Sequence, residues 1–311
     1  MQIALVDPSR TVRRIVTDLV RQWNYDVCPF SDGAEALSFI QQNDSVRVLM
    51  TSAELPSLSG IELCARVRAL VDNRRPLYIL LMSSNDEHTQ RIHALDNGAD
   101  DFISKPPIAE ELRARLRTAD RVTSMQSELV RLATTDFLTG LSNRRAFFEH
   151  AGKVMARAQG GQAVAALMLD LDHFKQVNDS YGHAIGDAVL KRVAAEIAPI
   201  PGVAGRLGGE EFGLLVESDL AEAVDTAQEL RRSVERLKIF AGEQPVLVTC
   251  SLGVAEWEVG DTIDVLLRRA DLALYEAKRT GRNKVVVADT FALPDPHEQW
   301  RGATRALRRT S

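Results

Sequence analysis

Cysteine is scarce in this 311-residue chain. The three present, Cys28, Cys64 and Cys250, are an odd number without metal-ligand spacing, which argues against a disulfide framework and fits a reducing compartment. Long hydrophobic runs are missing as well. None approaches the roughly 20 residues of a membrane span, and the N-terminus has neither a basic region nor a cleavage site. A cytoplasmic protein with no membrane partner is expected. Basic charge is not in excess either: 38 Lys and Arg against 43 Asp and Glu give a formal net charge of −5, which disfavours nonspecific nucleic-acid binding. Glycine and proline are absent from Ala109 to Thr134, which predicts one long helix there.

What is present is organised in two parts. The length exceeds one typical domain and predicts two. Short apolar runs at Ile3 to Val6, Val46 to Met50, Tyr78 to Met82 and Phe102-Ile103 alternate with helical patterns at Val12 to Trp23 and Ile61 to Leu70. This βα alternation predicts a parallel sheet wrapped by helices.

The second part carries the chemistry. In Arg206-Leu207-Gly208-Gly209-Glu210-Glu211-Phe212 two glycines adjoin two carboxylates, between apolar runs that read as a hairpin. Glycine lets a bulky anion approach the main chain, and two acids would repel that anion unless a divalent cation lay between them. Read alone, the turn is equally well an ordinary hairpin with solvated acids. Upstream, a buried strand from Val164 to Leu169 is expected to end on Asp170, within Leu169-Asp170-Leu171-Asp172-His173-Phe174-Lys175. Asp170, the Leu171 carbonyl and Glu210 form a set of oxygens that suits a hard cation also holding phosphate.

These residues resemble the diguanylate cyclases, the GGDEF family, which join two GTP molecules into cyclic di-GMP. The signature turn stands here as GGEEF. Further blocks agree in type and order: Asp136 to Arg145, Asp170 to Lys175, Asn178 to Asp187, and Asp271 to Asn283, so that the match spans roughly residues 134 to 288. The resemblance implies that Asp170, the Leu171 carbonyl and Glu210 hold Mg²⁺ (or Mn²⁺), and that Asn178 and Asp187 read the guanine edge. It also implies substrate contacts from Lys175, His183, Gly208 and Gly209. Lys278 and Arg282, four apart, are expected on one helix facing the phosphates; without the acids they would read as a solvated basic face. His183 reads equally as a structural turn residue, and Phe174 and Tyr275 as core packing. Glu210, with Glu211 beside it, is the candidate for receiving the proton of the attacking 3′-hydroxyl. One GTP site per domain implies a homodimer. The family's inhibitory product site, Arg-x-x-Asp, is replaced here by Pro199-Ile200-Pro201-Gly202.

The first part resembles the receiver domain of response regulators, with Ser83 ending one strand and Lys105-Pro106 closing the last. Where receivers carry a pair of acids only Asp7 stands, followed by Pro8, and Ser52 occupies the phosphoacceptor position four residues before Pro56. A serine cannot form an acyl phosphate, so a degenerate receiver is expected, a site for a signalling partner rather than for phosphorylation.

The expected architecture is α/β throughout. A flavodoxin-like, doubly wound receiver at 1–118 leads through a helical linker at 109–134 into a GGDEF domain at 135–288, which resembles nucleotidyl cyclases. A tail follows at 289–311, with Pro294, Pro296 and Trp300 ahead of Arg301, Arg305, Arg308 and Arg309. Linker residues fit two heptad registers of a parallel coiled coil, one through Leu112, Leu116, Ala119, Thr123, Gln126, Val130 and Ala133, the other through Val122, Met125, Leu129 and Leu132; a helix packed on its own receiver is the alternative. The alternatives to a cyclase are a noncatalytic GTP- or partner-binding signalling protein and a DNA-binding response regulator, the latter disfavoured because no recognition-helix pattern is present.

Overall fold

A computed structural model of the protein describes residues 1–71, 75–84 and 88–288, the side chains of 88–91 excepted. The tail with its prolines, Trp300 and arginines lies outside the described residues. The chain divides into two compact units, Met1–Arg131 and Leu132–Ser311.

In the first unit the strands β1 (Gln2–Val6), β2 (Asp26–Phe30), β3 (Val46–Ser52), β4 (Tyr78–Ser83) and β5 (Asp101–Ser104) form a parallel sheet in the order β2-β1-β3-β4-β5. Helices α1 (Arg10–Gln22), α2 (Gly33–Gln42), α3 (Gly60–Leu70), α4 (His88–Asp96) and α5 (Ala109–Thr134) alternate with them. Side chains fix where three helices begin: Ser9, Asp32 and Ser59 accept hydrogen bonds from the first-turn N–H groups of α1, α2 and α3. β2 lies at the sheet edge, where Pro29 is tolerated.

Helix α5 uses its two registers differently. Leu112, Leu116 and Ala119 are buried with Ile3, Leu5, Val48 and Met50, and Thr123 is also buried. The leading positions of the first register therefore face the chain's own sheet. Met125, Leu129 and Leu132 of the second are 61%, 64% and 57% exposed.

The second unit is built on a six-stranded sheet in the order β13-β12-β7-β9-β8-β6. Its strands are β6 (Ser142–Asn143), β7 (Ala165–Leu171), β8 (Val203–Gly208), β9 (Glu211–Val216), β12 (Cys250–Glu256) and β13 (Val285–Val287), with a small hairpin of β10 (Ile239–Ala241) and β11 (Gln244–Val246) apart from it. The helices are α6 (Arg144–Gln159), α7 (Phe174–Tyr181), α8 (His183–Ile197), α9 (Leu220–Glu235) and α10 (Ile263–Arg279).

Strand β7 is central and antiparallel to both neighbours. Its alternate residues enter two cores: Leu167, Leu169 and Leu171 join Val189, Val193 and Leu230, while Ala166 and Met168 join Phe147, Leu266 and Ala270. The period of two puts Asp170 on the face shared with α6 and α10. Helix α10 can lie close to β12 because Gly253 has no side chain; a Cβ there would stand 2.0 Å from the Ala270 carbonyl oxygen.

Candidate active site

The hairpin of β8 and β9 places its bend at Gly209 and Glu210, Gly209 adopting φ +44° and Gly208 still pairing with Glu211. Asp170 pairs in register with Glu211 across β7 and β9, so the two carboxylates stand side by side on one face. β7 runs on to Leu171, so Asp170 belongs to the strand itself rather than to the loop after it. It is only 6% exposed. Burial pushes its carboxyl above the ordinary range, Lys278 pulls it down, and Glu210 and Glu211 push it up again. Lys278 Nζ stands 2.7 Å from Asp170 Oδ2.

A buried carboxylate with two more beside it, and one ammonium to offset them, is a place where a further positive charge is favourable. The donors fit Mg²⁺: Asp170, Glu210 and the Leu171 main-chain carbonyl are hard oxygens from two adjacent segments. Among the described residues no group of three or more His, Cys, Asp or Glu side chains gathers as a metal cage. Mg²⁺ commonly binds through one or two carboxylates while keeping phosphate ligands.

Asn178 lies near the end of α7, Asp187 in the first turns of α8, and His183 opens α8 after the left-handed Gly182, whose φ is +81°. His183 is therefore the first helical residue, exposed, rather than part of a free turn. Asp187 and Lys175 are exposed and Asn178 is half-buried. The backbone of Gly186 stands directly behind the Asn178 amide, since a Cβ there would come 1.9 Å from Asn178 Oδ1.

Two expectations need correction. Arg282 is not on the helix with Lys278: α10 ends at Arg279, and Gly281, Arg282 and Asn283 take φ of +118°, +62° and +48°. Gly281 just after the last helical residues is the stop signal. Tyr275 is not core packing, being 65% exposed, whereas Phe174 is buried. Asp271 lies in the middle of α10, which begins at Ile263.

Several neighbours were not assigned roles in the sequence. Arg206, in the signature stretch, donates from Nε to the Gly209 carbonyl at 2.8 Å and from Nη1 to Asp136 Oδ1 at 3.1 Å. Its position just before the glycines was the available signal. Glu211 also borders a cavity of about 330 Å³ between α6 and α10, floored by Phe148, Met168, Leu207 and Leu267 and edged by Arg144 and Asp271.

In the first unit the expected pocket residues meet. Lys105 Nζ donates to Ser52 Oγ at 2.7 Å and lies 3.4 Å from Asp7 Oδ2 and 3.2 Å from Glu54 Oε2. Asp7 and Ser52 are fully buried, and Ser83, also buried, ends β4 beside them.

Comparison with known proteins agrees with both halves. Residues 133–284 match the model of the diguanylate cyclase GGDEF domain, and residues 3–117 that of the response regulator receiver domain. The response regulator PleD of Caulobacter vibrioides is 33% identical over 296 residues, covering 90% of this chain and 64% of PleD. Diguanylate cyclase VdcA of Vibrio cholerae is 39% identical over 183 residues, covering 57% of this chain and 53% of VdcA. The chain thus spans between about half and two thirds of the length of these relatives. A crystal structure of the coiled coil and GGDEF domain of DgcB from Caulobacter crescentus, in complex with c-di-GMP, is 35% identical. It covers 58% of this chain and 98% of its own, with a TM-score of 0.54. With a receiver domain ahead of it, the chain belongs to the diguanylate cyclase GGDEF family.

Proposed function

We propose that the protein condenses two GTP molecules into cyclic di-GMP and pyrophosphate, as a homodimer in which each chain presents one GTP. The observation that carries this reading is the buried Asp170 beside Glu210 and Glu211, with Lys278 2.7 Å away. In this reading Asp170, the Leu171 carbonyl and Glu210 hold Mg²⁺ or Mn²⁺ against the triphosphate. The bound ion supplies charge neutralisation at the phosphates and activation of the 3′-hydroxyl. Lys278 and Arg282 bind phosphate oxygens, and Gly208 and Gly209 let the triphosphate approach the main chain. Lys175 and His183 lie on the elements that carry the base-reading residues and contact the nucleotide. Asn178 and Asp187 offer an amide and a carboxylate to guanine, whose N1–H and exocyclic amine are donors; adenine would leave the acid unpaired. Glu210, with Glu211 adjoining, accepts the proton as the 3′-oxygen attacks the α-phosphorus of the facing GTP and pyrophosphate leaves.

The receiver is proposed to work without aspartyl phosphate, because Ser52 stands at the acceptor position with its hydroxyl bonded to Lys105. It would serve dimerisation or a signalling partner. The exposed Met125, Leu129 and Leu132 on α5 are the surface that a parallel pairing of two chains would cover. A cytoplasmic location completes the reading; among the described residues no helix is long and apolar enough to cross a membrane.

Incubation of the purified protein with GTP and Mg²⁺, followed by nucleotide separation, tests this directly. Cyclic di-GMP and pyrophosphate are expected in a ratio of one to two. Retention of bound but unconverted GTP under all metal conditions would instead support a noncatalytic GTP-binding protein.

A further inference from the structure

The loop that carries Arg282 is held in an unusual backbone conformation by residues with no assigned part in the reaction. Gly281, Arg282 and Asn283 are three consecutive left-handed residues, and two of them carry a Cβ. Such conformations persist only where the surroundings over-determine them. Here the surroundings are a buried carboxylate and a brace from α9.

Asp172 lies two residues after Asp170 and is 6% exposed. Its Oδ2 accepts from the Asn283 main-chain N–H at 3.0 Å and from Thr249 Oγ1 at 2.7 Å, and its Oδ1 accepts from Ser251 Oγ at 2.7 Å. Its own N–H donates to the Thr249 carbonyl at 2.9 Å. From the other side Arg231 Nη1 donates to Asn283 Oδ1 at 2.8 Å, and Asn283 Nδ2 donates to Glu235 Oε1 at 2.8 Å. Arg231 and Glu235 are themselves paired at 2.9 Å. Arg282 bonds through its own N–H to the Ala277 carbonyl at 2.9 Å, which fixes the turn directly after α10.

A loop residue acts as a reliable phosphate contact only if its backbone is fixed, because a guanidinium on a mobile loop loses its advantage to ordering entropy. Apart from the Arg231–Glu235 pair and the Arg282 N–H bond to Ala277, every bond above meets Asn283, the residue after Arg282, or Asp172, which holds it. We infer that Asp172, Asn283, Arg231 and Glu235 are positioning residues that aim Arg282 at the triphosphate. The segment that offers Asp170 to the metal thereby also fixes the phosphate-binding arginine, through Asp172 just past the end of β7. The inference rests on the assignment of Arg282 to the GTP phosphates in the reading above.

The test measures binding of a non-hydrolysable GTP analogue and of GMP, with Mg²⁺, to the full chain and to Asn283→Ala, Arg282→Ala and the double variant. Asn283→Ala is expected to weaken the GTP analogue about tenfold, as for loss of one hydrogen bond to a charged group, and to leave GMP unchanged. Adding Arg282→Ala to it should cost nothing further, because both changes remove the same contact. Arg231→Ala, which leaves the loop sequence intact, should shift the two ligands in the same way. Wild-type affinity for the GTP analogue in Asn283→Ala and Arg231→Ala would overturn the inference. So would an equal loss for GMP, which marks a general structural defect, or full additivity with Arg282→Ala. Absence of any GTP-analogue binding by the unaltered protein would remove the functional reading itself, and this inference with it.

Discussion

Arg206 Nη1 stands 3.1 Å from Asp136 Oδ1, while Arg206 Nε holds the Gly209 carbonyl at 2.8 Å. One guanidinium therefore ties the segment after α5 to the bend that carries Glu210. Both partners are largely shielded, with side chains 15% and 16% exposed. Asp136 also accepts from the Thr139 hydroxyl and N–H, closing the turn at Gly140.

Asp136→Ala should destabilise the second unit by about 1–3 kcal/mol, the cost of leaving a shielded charged partner unpaired, read as a lower urea midpoint. Burial raises the Asp136 carboxyl, but the Thr139 bonds and Arg206 outweigh it and hold it below the ordinary range. A depressed carboxyl contributes its stability above the unfolded-state value and loses it as pH falls through the folded value. The wild type should therefore lose stability in acid more steeply than Asp136→Ala. Identical acid limbs would contradict the assignment.

Gly186→Ala should spare the fold and damage recognition of the base. Its Cβ would meet the flexible end of the Asn178 side chain rather than backbone. GTP affinity should fall about tenfold, the worth of a displaced hydrogen-bonding group, with thermal unfolding little changed. A large drop in melting temperature with intact GTP affinity would show that Gly186 serves packing alone.

Much of this site could be read before any coordinates. The apolar run from Val164 to Leu169 marked a buried strand reaching Asp170, and the paired glycines marked the bend beside Glu210. The edge strand β2 went unread, because Asp26 to Phe30 is short, half-exposed and contains Pro29. Lys278 and Arg282 were placed on one helix because spacing of four suits it, yet Gly281 between Thr280 and Arg282 was a stop signal. The contacts of Arg206 with Asp136 and of Asp172 with Asn283 join residues 70 and 111 positions apart. No local pattern encodes such separations; only the sheet order brings them together.

Acetyl phosphate or beryllium fluoride should leave the oligomeric state and activity unchanged. Ser52 offers no carboxylate, and its hydroxyl already bonds Lys105 and the Glu54 carbonyl. A shift in sedimentation or turnover on adding either reagent would refute the phosphate-independent receiver.

Product inhibition should be weak and competitive. Pro199-Ile200-Pro201-Gly202 supplies neither a guanidinium nor a carboxylate to clamp a guanine and phosphate. Cyclic di-GMP titrated into a steady-state assay should raise the apparent KM and leave kcat unaltered; strong noncompetitive inhibition would contradict this.

The most direct test is Mg²⁺-dependent binding of a non-hydrolysable GTP analogue to wild type, Asp170→Asn and Glu210→Gln. Wild type should bind far more tightly with Mg²⁺ than without it, and each variant should lose at least about tenfold of that Mg²⁺-dependent gain. If both variants kept the full Mg²⁺ dependence, Asp170 and Glu210 would not share a cation, and the proposed chemistry would fail.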